Sequence, residues 1–317
     1  MLRTILALLQ IKGIGDAFIK KNLTYLSQSE LSYNELCNLD KRITPDELSK
    51  NYLYAEKIIQ RCKELGISIC HIGESNYPKK LKEINSAPSV LYMRGNTSLL
   101  SSDIVSIIGT RQATGMGEAI AHKIGSYMSA HCSICNGLVE GIDKAAISDN
   151  NVVFSNVIGV ISGGLDYVNT SSKITSRLAD IVLQNNGLLV SEFEPDKKED
   201  AFSGSKASRI QAGIADALIL VQSSIDGGSK YTLETFSRLN RVLGVVNYPE
   251  SNEFCSHDSF SANRLIIEKK ARGLADMCKI KDVGKIVLRE IVEIRNSDDY
   301  IKIINQLCRN IPSNLFE

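Results

Sequence analysis

Residues 103–126 read DIVSIIGTRQATGMGEAIAHKIGS, and the interpretation of this stretch decides the fold. Ile104 to Ile108 is apolar apart from Ser106, too short for a helix and β-branched enough for a strand buried on both faces. Gly109 ends the run. The turn that follows carries small residues including Gly115, two hydroxyls on Thr110 and Thr114, and the Arg111 guanidinium, before an Ala/Ile-patterned segment with helical character. A strand, a Gly-rich turn and a helix N-terminus aim backbone N–H groups and a positive dipole at one spot, which suits a phosphate. The spacing is neither the dinucleotide G-x-G-x-x-G nor a Walker loop with its lysine. A βα turn that needs glycine for its geometry alone accounts for the stretch equally well.

Further along the chain, apolar runs recur at 132–135, 157–161, 187–190, 217–221 and 242–246, mostly separated by helix-sized segments. Such alternation predicts an α/β fold, a doubly wound and mostly parallel sheet, with ligands outside the carboxyl ends of the strands. The residues after each run therefore carry the chemistry. They are Thr110 and Arg111; Asn136 and Gly137 leading into LVEGID; Ser162, Gly163 and Gly164; Ser191 and Glu192; and DGGSKYT at 226–232. Nearly all are small or hydroxylic, with two fixed cations, Arg111 and Lys230, close by. This inventory suits a polyanion, and no hydrolytic triad or metal-ligand set stands at any strand end. Asp143 and Asp166, at strand-to-helix turns, are expected to cap helices and bond nearby amides. Glu192 is the one strand-end carboxylate that invites a catalytic role. His71, His122, His131 and His257 are dispersed and read as surface or satisfied core residues.

The first 65 residues look helical. LLQIKGIGDAFIKKNL resembles a helix-hairpin-helix around Gly13-Ile14-Gly15, either a small packing module or a contact to a DNA phosphate. Thr44, Pro45 and Glu47 form a capping box for a helix running to about Leu65, where Gly66 stops it. ISICHIG and APSVLYMRG are strand candidates flanking a short helix, YPKKLKEI. After Ala271, KIVLREIVEI and DDYIKIINQLCR are patterned as two helices. The expected division is a helical unit at 1–65, a Rossmann-like unit at 66–275 and a helical tail at 276–317.

Length bounds this to one main domain and a smaller one, since 317 residues bury a large core. A net charge of +1 excludes a histone-like polycation but leaves room for a local basic groove. Eight scattered cysteines (37, 62, 70, 132, 135, 255, 278, 308), with no signal peptide or membrane-length apolar run, favour reduced thiols in the cytoplasm. Cys132 and Cys135 form a single C-x-x-C without a second pair, and read as small core residues.

Several motifs in one order resemble the DNA-processing protein A (DprA/Smf) family. They are YPKKLKEINSAPSVLYMRGN, VSIIGTRQATGMG, NGLVEGID, VIGVISGGLDYV, GLLVSEFEP, SRIQAGIADALILVQ, GGSKYT and NRLI, covering about residues 65–275. The resemblance implies an extended Rossmann-like fold that binds and protects single-stranded DNA and loads a RecA-type recombinase. It further implies a homodimer formed through the Rossmann domain, with no metal or nucleotide cofactor. Carried over by position, Gly109, Thr110 and Arg111 match the family's Gly-Ser/Thr-Arg motif, and Gly141, Ile142 and Asp143 its Gly-Ile-Asp turn. Phe202 to Gly213 is similar to the family's Phe, Arg-Asn-Arg and Ala-Gly run, in which Arg209 matches the last arginine and Lys206 falls near the first.

The chain departs from this pattern where Ala207 and Ser208 replace an arginine and an asparagine. Glu140 replaces an arginine, Gln222 replaces a glutamate, and Lys230 follows Gly-Gly-Ser. The expected DNA or phosphate site is therefore Gly109, Thr110, Arg111, Thr114, Gly115, Gly141, Asp143, Ser162, Gly163, Phe202, Lys206, Arg209, Gly228, Ser229 and Lys230, with the pocket rebuilt around Lys206 and Lys230. Phe202 either stacks on a base or packs in the core. Apolar residues between Val242 and Ala271 are candidates for a two-fold patch. Two other classes of function stay open. GGSKYTLE is similar to the signature of the lysine-decarboxylase-like (LOG) nucleotide phosphoribohydrolases, with Arg111 and Glu234 as catalytic candidates, and a pure scaffold is the third.

Overall fold

The computed structural model describes every residue except 29–30, 150–151, 249–256 and 308–317, so Cys255 and Cys308 lie outside the described residues. Five helices come first: α1 (Leu2–Leu9), α2 (Asp16–Lys21), α3 (Leu23–Leu26), α4 (Tyr33–Cys37) and α5 (Pro45–Glu64). Strands β1 (Ser68–His71), β2 (Val90–Gly95) and β3 (Ile104–Gly109) follow, then α6 (Gly115–Ser129), β4 (Ser133–Asn136) and α7 (Ile142–Ala146). A small antiparallel ribbon, β5 (Ser148–Asp149) and β6 (Val152–Val153), precedes β7 (Val157–Val160), α8 (Tyr167–Thr170), α9 (Lys173–Gln184) and β8 (Leu188–Ser191). The chain continues through α10 (Ser203–Ile214), β9 (Ala217–Gln222), α11 (Ser229–Phe236) and β10 (Val242–Val246). It ends in helices Ser261–Lys269 and Ala271–Cys278, strand β11 (Glu290–Ile294) and helix Asp298–Leu307.

Nine strands form one sheet in the order β1-β2-β8-β7-β4-β3-β9-β10-β11. All pairings from β8 to β11 are parallel, whereas β2 runs antiparallel to both β1 and β8. From β3 the chain proceeds one way to β4 and β7, then returns to place β9 on β3's other side. A crevice opens at such a switch point, and here it lies at the carboxyl end of β3. Alternate residues of β3 face opposite layers, with Val105 and Ile107 in one core and Ile104 and Ile108 in the other. The first layer also contains the N-terminal helices, and the second is covered by α10, α11 and the helices at 261–278.

Several expectations change here. The segment KIVLREIVEI is no helix: Glu290–Ile294 extends the sheet as a ninth strand, parallel to β10. Its alternating IVEI pattern, with Val292 and Ile294 buried, satisfies a strand's period of two over the few residues that count. Of the stretch from Val242 to Ala271, residues 242–246 cannot serve as a two-fold patch, because β10 lies between β9 and β11 and every residue of it is buried, while residues 249–256 lie outside the described residues. The Thr44 cap is half a box, with Thr44 Oγ1 accepting from Glu47 N at 3.3 Å; the reciprocal box stands at Ser32 and Glu35. Cys132 and Cys135 are buried free thiols, and burial pushes Cys132 up to about 12.

At the chain start, the Gly13 turn is occupied by the protein itself. Arg42 Nη1 donates to Gly13 O at 2.6 Å, and Asp16 Oδ1 accepts from Ser89 N at 2.6 Å, docking the hairpin onto the approach to β2. These two contacts give the hairpin a packing role. Among the described residues, no helix is long and apolar enough to cross a membrane.

Candidate functional site

The crevice beyond β3 holds a cavity of about 660 Å³. Its wall begins with the turn after β3. Thr110 N donates to Gln222 O at 2.8 Å, Thr110 Oγ1 accepts from Gln112 N at 3.2 Å, and Thr110 O accepts from Ile142 N at 3.2 Å. Gly141, at φ +76°, passes so close that an added Cβ would lie 2.4 Å from Thr110 O and 2.7 Å from Arg111 O. Glycine is required there on both counts, conformation and space. The turn is thus clasped from below, and Arg111 projects from it into solvent at the cavity's edge. Among the described residues Arg111 has no ion-pair or hydrogen-bond partner, so its charge is available to a ligand.

Gln222 explains a second feature of the Gly-rich stretch. Fully buried, its Oε1 accepts from Thr114 N at 3.1 Å and from Thr114 Oγ1 at 3.3 Å, while its Nε2 donates to Ser259 at 2.7 Å. Thr114 Oγ1 in turn accepts from Gly117 N at 3.1 Å and caps α6. The carboxamide can donate and accept at once, which a carboxylate cannot, so it joins the turn to the segment leading into the helix at 261–269. Thr114 and Gly115 therefore build the turn and do not line the cavity.

The floor comes from the loop after β4. Asn136 Nδ2 donates to Asp143 O at 2.9 Å, Asp143 Oδ2 accepts from Gly137 N at 2.8 Å, and Leu138 is held at φ +53° with its side chain fully buried. Burial raises the Asp143 carboxyl to about 7, against the opposing pull of the Gly137 and Val139 amides and of nearby Arg111. Its expected amide-bonding role is met. Asp166 instead takes the N-cap position of α8 without a side-chain cap; its carboxylate accepts from Arg61 and Asn169, each at 2.9 Å.

The opposite wall is α10 and the start of α11. Asp200 Oδ1 accepts from Phe202 N and Ser203 N, both at 2.9 Å, and these bonds together with Lys197 hold its carboxyl down at about 2. This knot presents Phe202 at the rim with 79% of its surface exposed, which rules out core packing. Across the mouth Tyr231 is 46% exposed. Ala207 and Ser208, standing where the family's pattern has an arginine and an asparagine, line the wall with small side chains.

The structure thus brings Gly109, Thr110, Arg111, Asp143, Ser162, Phe202, Gly228 and Ser229 to one cavity. It does not bring the other three cations. Arg209 Nη2 bonds Glu192 Oε2 and lies 3.9 Å from Asp16, 14% exposed, because α10 turns that face toward a separate cleft beneath α1. Lys206 lines the same cleft, with Nζ 5.2 Å from the centroid of the Phe193 ring. Lys230 sits over Tyr231, with Nζ 5.5 Å from the ring centroid, and is outside the cavity lining. Gly163 also lies outside that lining, its carbonyl accepting from Ser191 Oγ at 2.7 Å. Glu192, as the partner of Arg209, has a structural use, and Glu234 of α11 pairs with Arg238 at 3.1 Å. Arg111 and Glu234, the phosphoribohydrolase candidates, do not both line this cavity.

Gln112, Gln211 and Tyr231 also line the cavity and stand outside the expected site residues, although Tyr231 falls within the strand-end run DGGSKYT. Gln211 left a signal, a polar residue inside the otherwise apolar inward face of RIQAGI. Tyr231 left another, an aromatic close after Gly-Gly at a strand end.

Residues 68–283 match the family model described as DNA recombination-mediator protein A. The DNA processing protein DprA of Bacillus subtilis is 29% identical over 189 residues, 59% of this chain and 63% of that protein, so the match spans less than two thirds of the relative. Among solved structures, DNA processing protein A from Streptococcus pneumoniae superposes with a TM-score of 0.69 at 22% identity, over 95% of this chain and 98% of that one. DNA processing protein A from Helicobacter pylori, studied for its single-stranded DNA binding mode, gives 0.58 at 22% identity, over 77% and 96%. With the family model covering most of the chain and the sheet order and strand-end cavity in place, this chain belongs to the DNA recombination-mediator protein A family.

Proposed function

We propose that the chain binds single-stranded DNA in the cavity beyond β3, with a phosphate on Arg111 and the Thr110 turn and bases against Phe202 and Tyr231, and hands the strand to a RecA-type recombinase. One observation carries the reading. An unpartnered guanidinium and two exposed aromatic rings share the rim of one cavity. That pairing of charge with stacking surface suits a strand whose bases are free, and a duplex hides those bases. Membership of the family, and the binding mode studied in the H. pylori relative, support the same reading. The protein acts as a binding protein in the cytoplasm, without metal or nucleotide.

A single cation gives only modest affinity at physiological salt, so the working unit is a homodimer whose two pockets engage one strand. The test is a mobility-shift titration with single- and double-stranded oligonucleotides at two salt concentrations, and light scattering with and without a long strand. Preference for the single strand, steep weakening with salt and a dimeric mass are expected. Equal binding of both DNA forms, or none, overturns the DNA reading; a monomer in both states overturns the dimer.

A further inference from the structure

Gln211 is 7% exposed, lines the cavity, and makes no hydrogen bond to any described residue. It contrasts with its surroundings, where Asn136, Asp143 and Gln222 are each bonded in place. Its carboxamide is not sealed off but opens onto the cavity, where a donor and an acceptor are available to whatever fills it. The position of the group is informative. At Gly137 an added Cβ would lie 2.9 Å from Gln211 Nε2 and 3.1 Å from Asp143 Oδ2. A donor and an acceptor thus lie side by side at Gly137 on the cavity floor, where a side chain at 137 would crowd both. The amides of Gly137 and Val139 act on the Asp143 carboxyl, whose two oxygens keep further acceptor sites when ionised.

We propose that this floor receives the edge of a nucleobase, with Gln211 donating to it and Asp143 accepting from it. The inference rests on the DNA reading above and deepens it, because it says how the base is held. Every base carries an acceptor beside a donor on its Watson–Crick edge: N1 and N6–H in adenine, N3 and N4–H in cytosine, O6 and N1–H in guanine, O4 and N3–H in thymine. One donor–acceptor pair on the protein therefore fits all four. Such a pocket demands a base without demanding a sequence, and it rejects a paired base, whose edge is already used. The cavity of about 660 Å³ is large enough for one nucleotide.

The test uses fluorescence anisotropy with three oligomers of one length: oligothymidylate, the same strand built from N3-methylthymidine, and an abasic strand. N3-methylation keeps the ring and its stacking and removes the N3–H donor. The wild-type protein is expected to bind oligothymidylate about tenfold more tightly than the methylated strand, and the abasic strand most weakly. Gln211→Leu is expected to bind oligothymidylate as weakly as the wild type binds the methylated strand, with an unchanged salt slope. Equal wild-type affinity for the first two strands overturns the proposal and leaves the DNA reading standing. A Gln211→Leu protein that keeps the preference overturns the role of Gln211. If that variant does not fold, the wild-type comparison alone decides. Failure of the wild type to bind any strand overturns the DNA reading, and this inference with it.

Discussion

Two hollows of this molecule hold similar residues and use them in opposite ways. The cavity beyond β3 and the cleft of about 380 Å³ beneath α1 each combine aromatic and charged side chains. In the cleft the charges answer one another: Arg209 lies against Glu192 and Asp16, and Glu194 accepts from Gln10 and Tyr54, each at 2.7 Å. These bonds tie the N-terminal helices to the sheet. In the cavity, among the described residues, Arg111 has no anion in contact and Gln211 has no hydrogen-bond partner, and the rings of Phe202 and Tyr231 are exposed. Charge that the fold has already neutralised holds the fold together, and charge left open is free for a ligand.

Breaking the cleft should produce the largest effect on stability. Arg209→Ala leaves Glu192, 8% exposed, without the cation that holds one oxygen, while its other oxygen is already unbonded. Removing one partner of a buried pair costs about 3–5 kcal/mol, so urea denaturation should show a loss of that order. Affinity per folded molecule for single-stranded DNA should change little. A stable variant with poor DNA binding would reverse the roles assigned to the two hollows.

The buried acid of the cavity floor should give the next effect, and it depends on pH. Asp143 titrates at about 7 in the folded protein against 3.8 ordinarily, so the native state holds its proton more tightly than the unfolded chain. Its contribution to stability is then fully present below pH 3.8, declines as pH rises toward 7, and is level above. Asp143→Asn removes this dependence. The variant should gain on the wild type between pH 4 and pH 7 by on the order of 2–4 kcal/mol, read from unfolding curves across that range. Parallel stability curves for the two proteins would show that Asp143 is ionised throughout.

Opening the cavity's charge has a smaller effect, on binding alone. Arg111→Ala should weaken single-stranded DNA binding about tenfold, about 1.4 kcal/mol, and lower the salt slope by about one unit. Its melting temperature should stay close to the wild type, since among the described residues Arg111 makes no ion pair or side-chain hydrogen bond. An unchanged dissociation constant would remove Arg111 from the site. Smallest is the effect of Glu140, exposed one residue before the Gly141 turn that clasps Thr110 and Arg111. Glu140→Arg should tighten binding by about tenfold at most, because exposed charges interact weakly through water. Weaker binding would mean that Glu140 has a partner of its own.

Much of this was readable from the order of residues, and the reason is local physics. The buried strand at 104–108, the glycine that stops it and the hydroxyl that caps the next helix are dictated by side-chain period, φ and short-range hydrogen bonds. That Arg111 would stand at a strand end follows from the same rules. Strand β11 was missed because five residues of alternating pattern cannot outweigh the helical pattern around them until a neighbouring strand supplies its hydrogen bonds. Sequence could not say which cations face the cavity. Lys206 and Arg209 lie within a few residues of Phe202, yet helix α10 rotates them toward another hollow, where Glu192, Asp16 and Phe193 wait. Nor could it show Gln211 of α10 and Asp143 of α7 both approaching Gly137, because α10 comes from a distant part of the chain. Local sequence determined the elements and the turn that presents Arg111. Which polar groups are answered and which are left open was decided only when distant segments packed, because pairing and burial are properties of neighbours in space.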